Sequence, residues 1–266
     1  MIAYALAGLL VGAVINHAAD TLPHRRSLLE TPRCPECDQP LLPWQWISLI
    51  AYLSGHRRCP DCQGAISWRH PITEVVTALL FGFLWQRYQP SLQLWLFTIY
   101  TVLFVLIFII DLEHRLILNV VIFPSILFAF ASSFFRPDIN YLESLVGGAA
   151  NFLLVFLIFM GGPLFLRLWH RLRGQSTDEV PFGFGDVKLA LFIGLVVGFP
   201  ETVFALLIGI LAGGIGALLF ILARLFGGEK YSALTAIPYG PFLIFGAMAM
   251  LFYGQSIMDT YLGAYA

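Results

Sequence analysis

Hydrophobic residues along the chain form eight long segments separated by polar stretches. The segments run approximately over residues 2–19, 72–87, 92–110, 116–135, 143–168, 186–199, 201–223 and 237–255. Most approach the ~20 apolar residues that an α-helix needs to cross a bilayer. One long polar stretch, 20–70, interrupts them, and because irregular polar backbone cannot face lipid we expect it to be extramembrane. The pattern predicts an all-α polytopic membrane protein with about eight transmembrane helices. The first is 1–19, and a seven-helix membrane domain follows over 71–266.

Composition supports this class of protein. Hydrophobic residues make up 59% of the 266 residues and charged residues only 12%, with a mean hydropathy of +0.81. Soluble domains carry about 25% charged residues, so a soluble domain is excluded. No basic stretch precedes the first apolar segment, so we expect that segment to be retained as a helix rather than cleaved as a signal peptide.

The positions of Lys and Arg predict the orientation in the membrane. If the 20–70 region is cytoplasmic and the helices alternate from there, 13 of the 15 Lys and Arg residues fall in cytoplasmic loops. Only Arg87 and Arg136 fall outside. Basic residues are enriched on the cytoplasmic side of membrane proteins. The sequence therefore predicts a multi-pass membrane protein with the 20–70 loop in the cytoplasm and both termini outside; the resemblance described below implies that the membrane is the bacterial inner membrane.

Small residues recur at four-residue spacing inside several apolar segments. The sets are Gly8 and Gly12, Gly194 and Gly198, and Ala205, Gly209 and Gly213. This spacing allows membrane helices to approach closely. We interpret these positions as helix-packing sites.

All four cysteines lie in the 20–70 region. They form two C-x-x-C pairs, Cys34 with Cys37 and Cys59 with Cys62, separated by 21 residues. This spacing is typical of a zinc ribbon, in which four thiolates close a tetrahedral and therefore structural site. Disulfides are the alternative, but they are rare in the reducing cytosol. The sequence predicts a small cytoplasmic zinc-ribbon-like domain between the first and second helices.

Two aspartates stand at the predicted cytoplasmic face of the membrane. Asp111 follows an uncharged apolar run, and Asp186 opens the sixth segment, which at 1.5 Å per residue is roughly 21 Å long. That is shorter than the ~30 Å hydrocarbon core, so Asp186 is expected below the inner surface. Ionisable groups at such depth mark functional sites. Gly183 and Gly185 before it permit an irregular backbone.

Two neighbouring carboxylates can share one proton, so that one acts as an acid while the other activates water. This is aspartic-protease chemistry. The chain contains no G-x-S-x-G, H-E-x-x-H or phosphate-loop motif that would indicate another reaction. The sequence alone leaves simpler roles open: Asp186 as a helix cap, Asp111 paired with Arg115, and Lys188 extended to the interface. A scaffold or assembly factor with a zinc ribbon, and an ion-coupled transporter, also remain open.

These motifs together resemble a known family, the bacterial type IV prepilin peptidases, which are aspartic membrane proteases of the GxGD group. "GFGDVKLALFIG" is similar to the family's second catalytic motif and "DLEHRLILN" to its first. The paired C-x-x-C box, "HPITEVV" and "IPYGPFLIFG" resemble further family motifs in the same order. The resemblance implies that Asp111 and Asp186 are catalytic and that Gly183, Gly185 and Lys188 support them.

The chain departs from the family pattern mainly in and around the cytoplasmic region. "WQWISLI" replaces the usual D-N-I-P-L-L-S between the cysteine pairs, His70 replaces a tyrosine, and Leu118 replaces a proline. Ala13, Val14 and Thr21 also differ from the family residues. None of these changes touches the two aspartates.

The resemblance implies a substrate and a reaction. Family members cut a basic leader from prepilins or pseudopilins after a glycine at the cytoplasmic face, and many then methylate the new N-terminus with S-adenosylmethionine. We expect such substrates and the bilayer as partners, and no nucleic acid. Glu74, Glu113 and Asp178 are candidate contacts for the basic leader. The sequence shows no glycine-rich nucleotide loop in 20–70, so no residue is assigned to the methyl donor.

Overall fold

The structure of the protein, a computed structural model, describes residues 1–173, 183–226 and 238–263, with side chains described in 1–162, 183–222 and 238–261. The described residues form nine α-helices: α1 (Ile2–Thr21), α2 (Ser48–Leu53), α3 (Arg69–Tyr88), α4 (Leu92–His114), α5 (Asn119–Ser133), α6 (Tyr141–Arg173), α7 (Phe184–Val197), α8 (Glu201–Phe226) and α9 (Gly240–Gly263). Within these described ranges, helices account for all of the regular structure apart from isolated bridges in the cysteine region.

Each of the eight apolar segments coincides with one long helix, and the all-α prediction is confirmed. Five of these helices, α1, α4, α6, α8 and α9, are long and apolar enough to cross a membrane. The chain is therefore a multi-pass membrane protein. The remaining three, α3, α5 and α7, are shorter or more polar. Most predicted boundaries lie within five residues of the observed ones, but α9 continues to Gly263, eight residues beyond the predicted end at 255, and α4 continues past residue 110 to His114.

The chain divides into two compact units, Met1–Ile110 and Asp111–Ala266. In the first unit, α1 and α3 pack along their lengths. A Cβ on Gly8 would lie 2.8 Å from Phe81, and one on Gly12 would lie 2.7 Å from the Glu74 backbone. The pair is closed at one end by Asp20, which contacts Arg69 and accepts a 2.9 Å hydrogen bond from His70 Nε2.

The short helix α2 is joined to α3 by a buried carboxylate. Glu74 on α3 is fully buried, and its two carboxylate oxygens accept hydrogen bonds from the backbone N–H groups of Ser48 (2.7 Å) and Leu49 (2.8 Å). Because the first N–H groups of a helix lack partners within it, Glu74 satisfies the start of α2. The two helices are therefore held together at this point.

Helix α7 forms the centre of the second unit. Nine of its 14 residues are buried, against neighbours in α5, α6 and α9. Its crossing with α6 is close because glycines meet there: a Cβ on Gly147 would lie 2.6 Å from the Gly194 carbonyl. The predicted packing role of Gly194 is confirmed. A helix of this length is therefore enclosed by protein over most of its surface.

The C-terminal end of α7 is held by the segment that precedes and begins α6. The Arg136 guanidinium donates to the Val196 carbonyl, and the Ser144 hydroxyl donates to the Leu195 carbonyl at 2.6 Å. Gly198 then adopts a left-handed φ of 81°, and the N–H of Phe199 donates to the Glu143 carbonyl at 2.9 Å. The first two of these bonds satisfy carbonyls that the end of α7 leaves without partners, and the third ties the following residue to α6.

Small residues also allow α8 and α9 to approach. A Cβ on Gly209 would lie 3.1 Å from Leu243, and one on Gly246 would collide with the Ala205 carbonyl. The predicted packing role of Ala205, Gly209 and Gly213 is therefore confirmed, as it is for Gly8 and Gly12. Several residues of the predicted charge pattern lie outside the described side chains: Arg167, Arg171, Arg173, Arg224 and Lys230.

Candidate functional site

The cysteine region consists of two knuckles of the same construction. In the first, the N–H of Cys34 donates to the Gln39 carbonyl at 2.9 Å and the N–H of Asp38 donates to the Cys34 carbonyl at 3.0 Å. In the second, Cys59 donates to Gly64 at 2.8 Å and Gln63 to Cys59 at 3.0 Å. Each knuckle turns through a left-handed residue, with φ of 59° at Asp38 and 60° at Gln63. The sequence repeat thus becomes a repeat of backbone geometry.

The two knuckles bring the four sulfurs together. The Sγ atoms of Cys34, Cys37, Cys59 and Cys62 all lie within 4.8 Å of one another. Two of the Sγ–Sγ distances are 3.6 Å (Cys34 to Cys62) and 3.7 Å (Cys37 to Cys59). A tetrahedral zinc ion with Zn–S bonds of ~2.3 Å needs sulfurs about 3.8 Å apart. All four cysteines are free rather than disulfide-bonded, and the arrangement fits one tetrahedral ion.

The thiols differ in their affinity for protons. The backbone N–H groups of Cys62 and Asp61 lower the pKa of the Cys59 thiol to about 7. The N–H of Gly64 also lowers the pKa of the Cys62 thiol. Removal of water and the neighbouring sulfurs outweigh it and raise that pKa to about 12. Four thiolates in this space repel one another, so a cation is needed for all of them to ionise.

Asp111 lies in the last turn of α4, in the second unit. Its side chain is only 5% exposed, and its Oδ2 atom has no hydrogen-bond partner within the described part of the chain. Gly240, the first residue of α9, lies directly against it, because a Cβ on Gly240 would collide with Oδ2. The described ion pairs do not include one between Asp111 and Arg115. The alternative of a simple i to i+4 pair is therefore not observed.

Asp186 lies in the first turn of α7, three residues after the N-cap Gly183. Its Oδ2 accepts a 3.2 Å hydrogen bond from the N–H of Gly183, so the carboxylate does help to close the helix start. The capping alternative is correct in part, although Gly183 is the N-cap itself. The side chain remains partly accessible, and one hydrogen bond leaves most of its acceptor capacity free.

The two aspartates, separated by 74 residues in the sequence, come together in the second unit. The Asp111 carboxylate is close enough to Asp186 to interact with it electrostatically. Tyr239, immediately before α9, also interacts electrostatically with Asp186. Gly240 is near both α4 and α7, because a Cβ there would also lie 3.5 Å from Leu189. The start of α9 therefore completes the surroundings of the pair.

Tyr239 and Gly240 are residues to which sequence reasoning gave no role. The motif that contains them, "IPYGPFLIFG", was noticed only as a point of resemblance, and its first residue lies outside the described part. Nothing local in that stretch indicates contact with a carboxylate about 130 residues earlier. A glycine followed by proline at a helix start predicts a boundary, and only the packing reveals what the glycine accommodates.

Of the two glycines before Asp186, only one is required by close packing. A Cβ on Gly185 would lie 3.1 Å from Cβ of Ile117, in the connection that follows Asp111, so a small residue is needed for close approach. Gly183 has an ordinary φ of −86°, and a Cβ there would meet no atom closer than 3.7 Å. Close packing therefore explains why residue 185 is a glycine, but it does not explain the glycine at position 183.

Lys188 faces α5. Its Nζ donates a 2.5 Å hydrogen bond to Oδ1 of Asn119, the first residue of α5. The same amino group lies 5.5 Å from the centre of the Phe123 ring and 5.6 Å from that of Phe184, within the range of a cation–π interaction. Lys188 therefore links the helix that carries Asp186 to the helix that follows Asp111.

The three residues predicted to contact a basic leader differ in their exposure in the structure. Glu74 is wrong as a surface contact, because it is fully buried and occupied by the backbone of α2. Glu113, two residues after Asp111, is exposed. Asp178 lies outside the described residues.

Comparison with known protein families gives two matches, one to each part of the chain. Residues 6–88 match the Bacterial Peptidase A24 N-terminal domain, and residues 97–218 match the Type IV leader peptidase family. These two matches cover the cysteine region with its flanking helices, and the part that holds both aspartates. No solved structure gives a significant match to the chain.

Curated relatives match over most of their length. A Prepilin leader peptidase/N-methyltransferase of Legionella pneumophila is 31% identical over 86% of this chain and 75% of its own length. Proteins of the same name from Pseudomonas aeruginosa and Bacillus subtilis are 28% and 27% identical, over 97% and 96% of this chain and 91% and 95% of theirs. Motif order, helix pattern and these matches agree, and the chain belongs to the type IV leader peptidase family.

Proposed function

We propose that this protein cleaves the basic leader of type IV prepilins or pseudopilins after glycine, at the cytoplasmic face of the membrane, and then N-methylates the new N-terminal residue. Asp111 and Asp186 form the catalytic pair in this proposal. The observation that carries it is a buried Asp111 that is near enough to Asp186 for the two carboxylates to interact electrostatically. The names of the relatives supply the substrate class.

The proposed chemistry follows from two carboxylates that share one proton. The ionised aspartate removes a proton from water, and the resulting hydroxide oxygen attacks the carbonyl carbon of the scissile peptide. The protonated aspartate donates its proton to the carbonyl oxygen. When the tetrahedral intermediate collapses, the C–N bond breaks, the amine leaves with the proton taken from water, and one hydroxyl proton of the intermediate returns to the aspartate that protonated the carbonyl oxygen. The Asp111 carboxylate lies against Gly240 and interacts with its backbone N–H, and most of its acceptor capacity remains available for such exchange.

The surroundings of the pair favour this reaction. Low-dielectric walls strengthen the interaction between the carboxylates, and Asp111 is almost completely enclosed. Gly240 leaves room beside its Oδ2, and Gly185 lets the connection after Asp111 approach α7. Lys188 holds α5 against α7 through Asn119. In this proposal Gly183, Gly185 and Lys188 support the site without taking part in proton transfer.

We also propose the membrane arrangement. All eight long helices cross the bacterial inner membrane, so that both termini are outside and 20–70 is on the cytoplasmic side. The domains are then the first helix over 1–19, the metal-binding region over 20–70 and the seven-helix peptidase domain over 71–266. The distribution of Lys and Arg supports this orientation. The enclosure of the short α7 by neighbouring helices is consistent with a position inside a helix bundle.

The cysteine cluster is proposed to hold one structural Zn²⁺. Its sulfur spacing matches a tetrahedral site, and four protein ligands leave no open position for a reacting group. A bound ion would supply the positive charge that four crowded thiolates require. The region has few buried apolar side chains, so the metal would contribute much of its folding free energy.

Methylation rests on the names of the relatives, which are peptidases and N-methyltransferases. S-adenosylmethionine would supply the methyl group. The only glycines in 20–70 are Gly55 and Gly64, and neither lies at the start of a helix in the described structure. These residues do not form a glycine-rich cradle that fits the donor, so no residue is assigned to hold it.

The proposal is tested by co-expression of the protein with a prepilin and mass spectrometry of the product. We expect wild-type protein to yield a shortened pilin with a methylated N-terminus. Asp111→Asn and Asp186→Asn should each leave the precursor uncut, because acid–base catalysis by one group contributes about 10²- to 10⁴-fold. Asp259→Asn, an exposed aspartate on α9, is the matched control and should cleave normally.

Membrane insertion and zinc content are measured in the same samples. Normal cleavage by both Asp→Asn variants, with intact insertion, would contradict the proposed pair and leave a scaffold or transporter role. A cleaved but unmethylated product would remove methylation alone. These readouts separate a lost reaction from a misfolded protein.

A further inference from the structure

One apolar segment lies inside the otherwise polar cysteine region. Residues 41–53 contain no charged side chain, and they include α2 and a 3-10 turn over Pro43–Gln45. Large apolar side chains on this segment are exposed, among them Trp44 (51%) and Leu53 (81%), with Trp46 and Ile50 also open. Ile50 and Leu53 are three residues apart and therefore share one face of α2. In this chain the segment replaces the family's more polar stretch.

The position of this segment is fixed by Glu74. The bonds from Glu74 to the N–H groups of Ser48 and Leu49 attach the start of α2 to α3. The attachment point is five residues into α3, which begins at Arg69. The segment is thus held against the side of a long helix in the first unit, away from its end.

Helix α1 shows how deep this attachment point lies. Gly12 packs against the backbone of Glu74, and nine residues separate Gly12 from the end of α1 at Thr21. At 1.5 Å per residue, this places Glu74 about 13 Å from that end, measured along the axis. Half of the ~30 Å hydrocarbon core is about 15 Å. Along α3 the same point is five residues, or about 7.5 Å, from the start of the helix. If α1 and α3 cross the bilayer as proposed, the start of α2 lies below the membrane surface.

Polar side chains of the segment are hydrogen-bonded within the protein, which reduces the cost of placing them beside lipid. Gln45 is buried, accepts from the N–H of Leu42 at 3.2 Å, and donates to the carbonyls of His56 and Arg58 at 3.0 and 2.9 Å. The indole N–H of Trp46 donates to the Leu41 carbonyl at 3.1 Å. An exposed loop in water has no need of such bonds, because water satisfies its backbone.

We infer that residues 43–53 are inserted into the cytoplasmic leaflet of the bilayer, with the exposed faces of Trp44, Trp46, Ile50 and Leu53 against phospholipid. The inference rests on the proposed orientation of α1 and α3. Tryptophan favours the level of the lipid head groups. The exposed side chains of Ile72, Val75 and Val76 on α3 continue the apolar surface. Arg57 and Arg58, exposed directly after the segment, lie where lipid phosphates would attract them.

This insertion gives the metal site a fixed relation to the membrane. The inserted segment lies between the two knuckles in the sequence, after Cys37 and before Cys59. From each end of the segment, the polypeptide runs directly to one of the two C-x-x-C pairs. The cysteine knuckles are consequently held at the membrane surface instead of being displayed on a free loop.

A nitroxide label measures the depth directly. It is attached through a ketone-bearing amino acid, because all four cysteines are candidate metal ligands. The full-length protein, in phosphatidylglycerol and phosphatidylcholine nanodiscs, is labelled at Leu53, Leu79 or Gln63. Leu79 on α3 is 68% exposed and is the lipid reference, and Gln63 at a knuckle tip is exposed and is the water reference. Collisions with oxygen and with a water-soluble nickel chelate are compared.

We expect the ratio of oxygen to nickel collisions at Leu53 to approach the ratio at Leu79. A ratio equal to that at Gln63 would overturn the inference. Protection from both reagents would also overturn it, since that result means burial against protein. Zinc content confirms that each labelled protein is folded. Cleavage by the Asp111→Asn and Asp186→Asn variants is scored separately, so a failed peptidase proposal and a failed insertion give different results.

Discussion

The cysteine cluster and the aspartate pair are assembled in opposite ways. The cysteines come from two short knuckles within 29 residues, Cys34 to Cys62, and local backbone bonds set their geometry. The aspartates come from α4 and α7, and the start of α9 completes their surroundings. In the first site sulfurs meet at metal-binding distance, whereas in the second a buried carboxylate oxygen is left without a partner.

This difference indicates what each site is for. A site that only holds an ion can satisfy all of its groups and then stay unchanged. A site that moves protons must keep a lone pair available, and an unsatisfied buried group costs about 1–3 kcal/mol that the surrounding fold has to offset. Asp111 is enclosed within the helical second unit, whose buried apolar residues can offset such a cost, whereas the short knuckles contain few buried apolar residues.

The largest effect that tests this comparison is loss of the metal. Replacing Cys34 by Ser removes one of four ligands and should reduce zinc affinity by several orders of magnitude, because apparent binding to such sites is worth about 10–16 kcal/mol. Zinc content after dialysis, measured by mass spectrometry, should fall from one ion to none. Asp186→Asn is the control, because it changes the other site, and this variant should keep its zinc. Equal loss of zinc in both variants would contradict the separation of the two sites.

A smaller effect is expected from crowding the aspartate pair. Gly240→Ala places a methyl group against Oδ2 of Asp111, so the carboxylate must move. A displacement of about 1 Å can reduce a reaction ~10²-fold, and we expect a loss of that order in the rate of prepilin cleavage, with unchanged zinc content. Gly214→Ala on α8, where a Cβ meets nothing within 4 Å, is the matched control. An unchanged cleavage rate for Gly240→Ala would contradict this prediction, because it would show that the Asp111 carboxylate can accommodate the methyl group.

The smallest effect should come from the link between α5 and α7. Lys188→Met removes the hydrogen bond to Asn119, and since the pair is partly exposed we expect a destabilisation of about 1 kcal/mol. Cleavage should slow only a few-fold. A double-mutant cycle with Asn119→Leu isolates the interaction. Additive effects of the two changes on thermal unfolding in detergent would exclude a coupled role for this pair.

Much of the structure was predictable from patterns among residues that are close together in the sequence. Apolar segments gave all eight long helices, since hydrophobic length is a local property, and the C-x-x-C repeat predicted the metal cluster because each knuckle is built from neighbouring residues. Small residues at four-residue spacing predicted close packing, and Gly8, Gly12 and Gly194 are at such contacts.

Features that depend on distant partners were not predictable in this way. Glu74 looked like an acid available to a substrate, and only tertiary structure shows it bound to the start of α2. Gly240 is a glycine because of Asp111, which is 129 positions earlier (240 minus 111). The apolar stretch 41–53 was too short to be recognised as a membrane element, and the proposal that it enters the bilayer depends on its attachment to Glu74 on α3.

The contact between Gly240 and Asp111 has a consequence for biosynthesis. All four sulfur ligands have been made once residue 62 is translated, whereas the aspartate site lacks its last wall until residue 240, which is 178 residues later. At roughly 5–20 residues per second, the delay is about 9 to 36 s. If the cysteines bind zinc and the aspartates are catalytic as proposed, a nascent chain can acquire its metal before its peptidase site is complete. The site is then assembled only when seven of the eight long helices have been made.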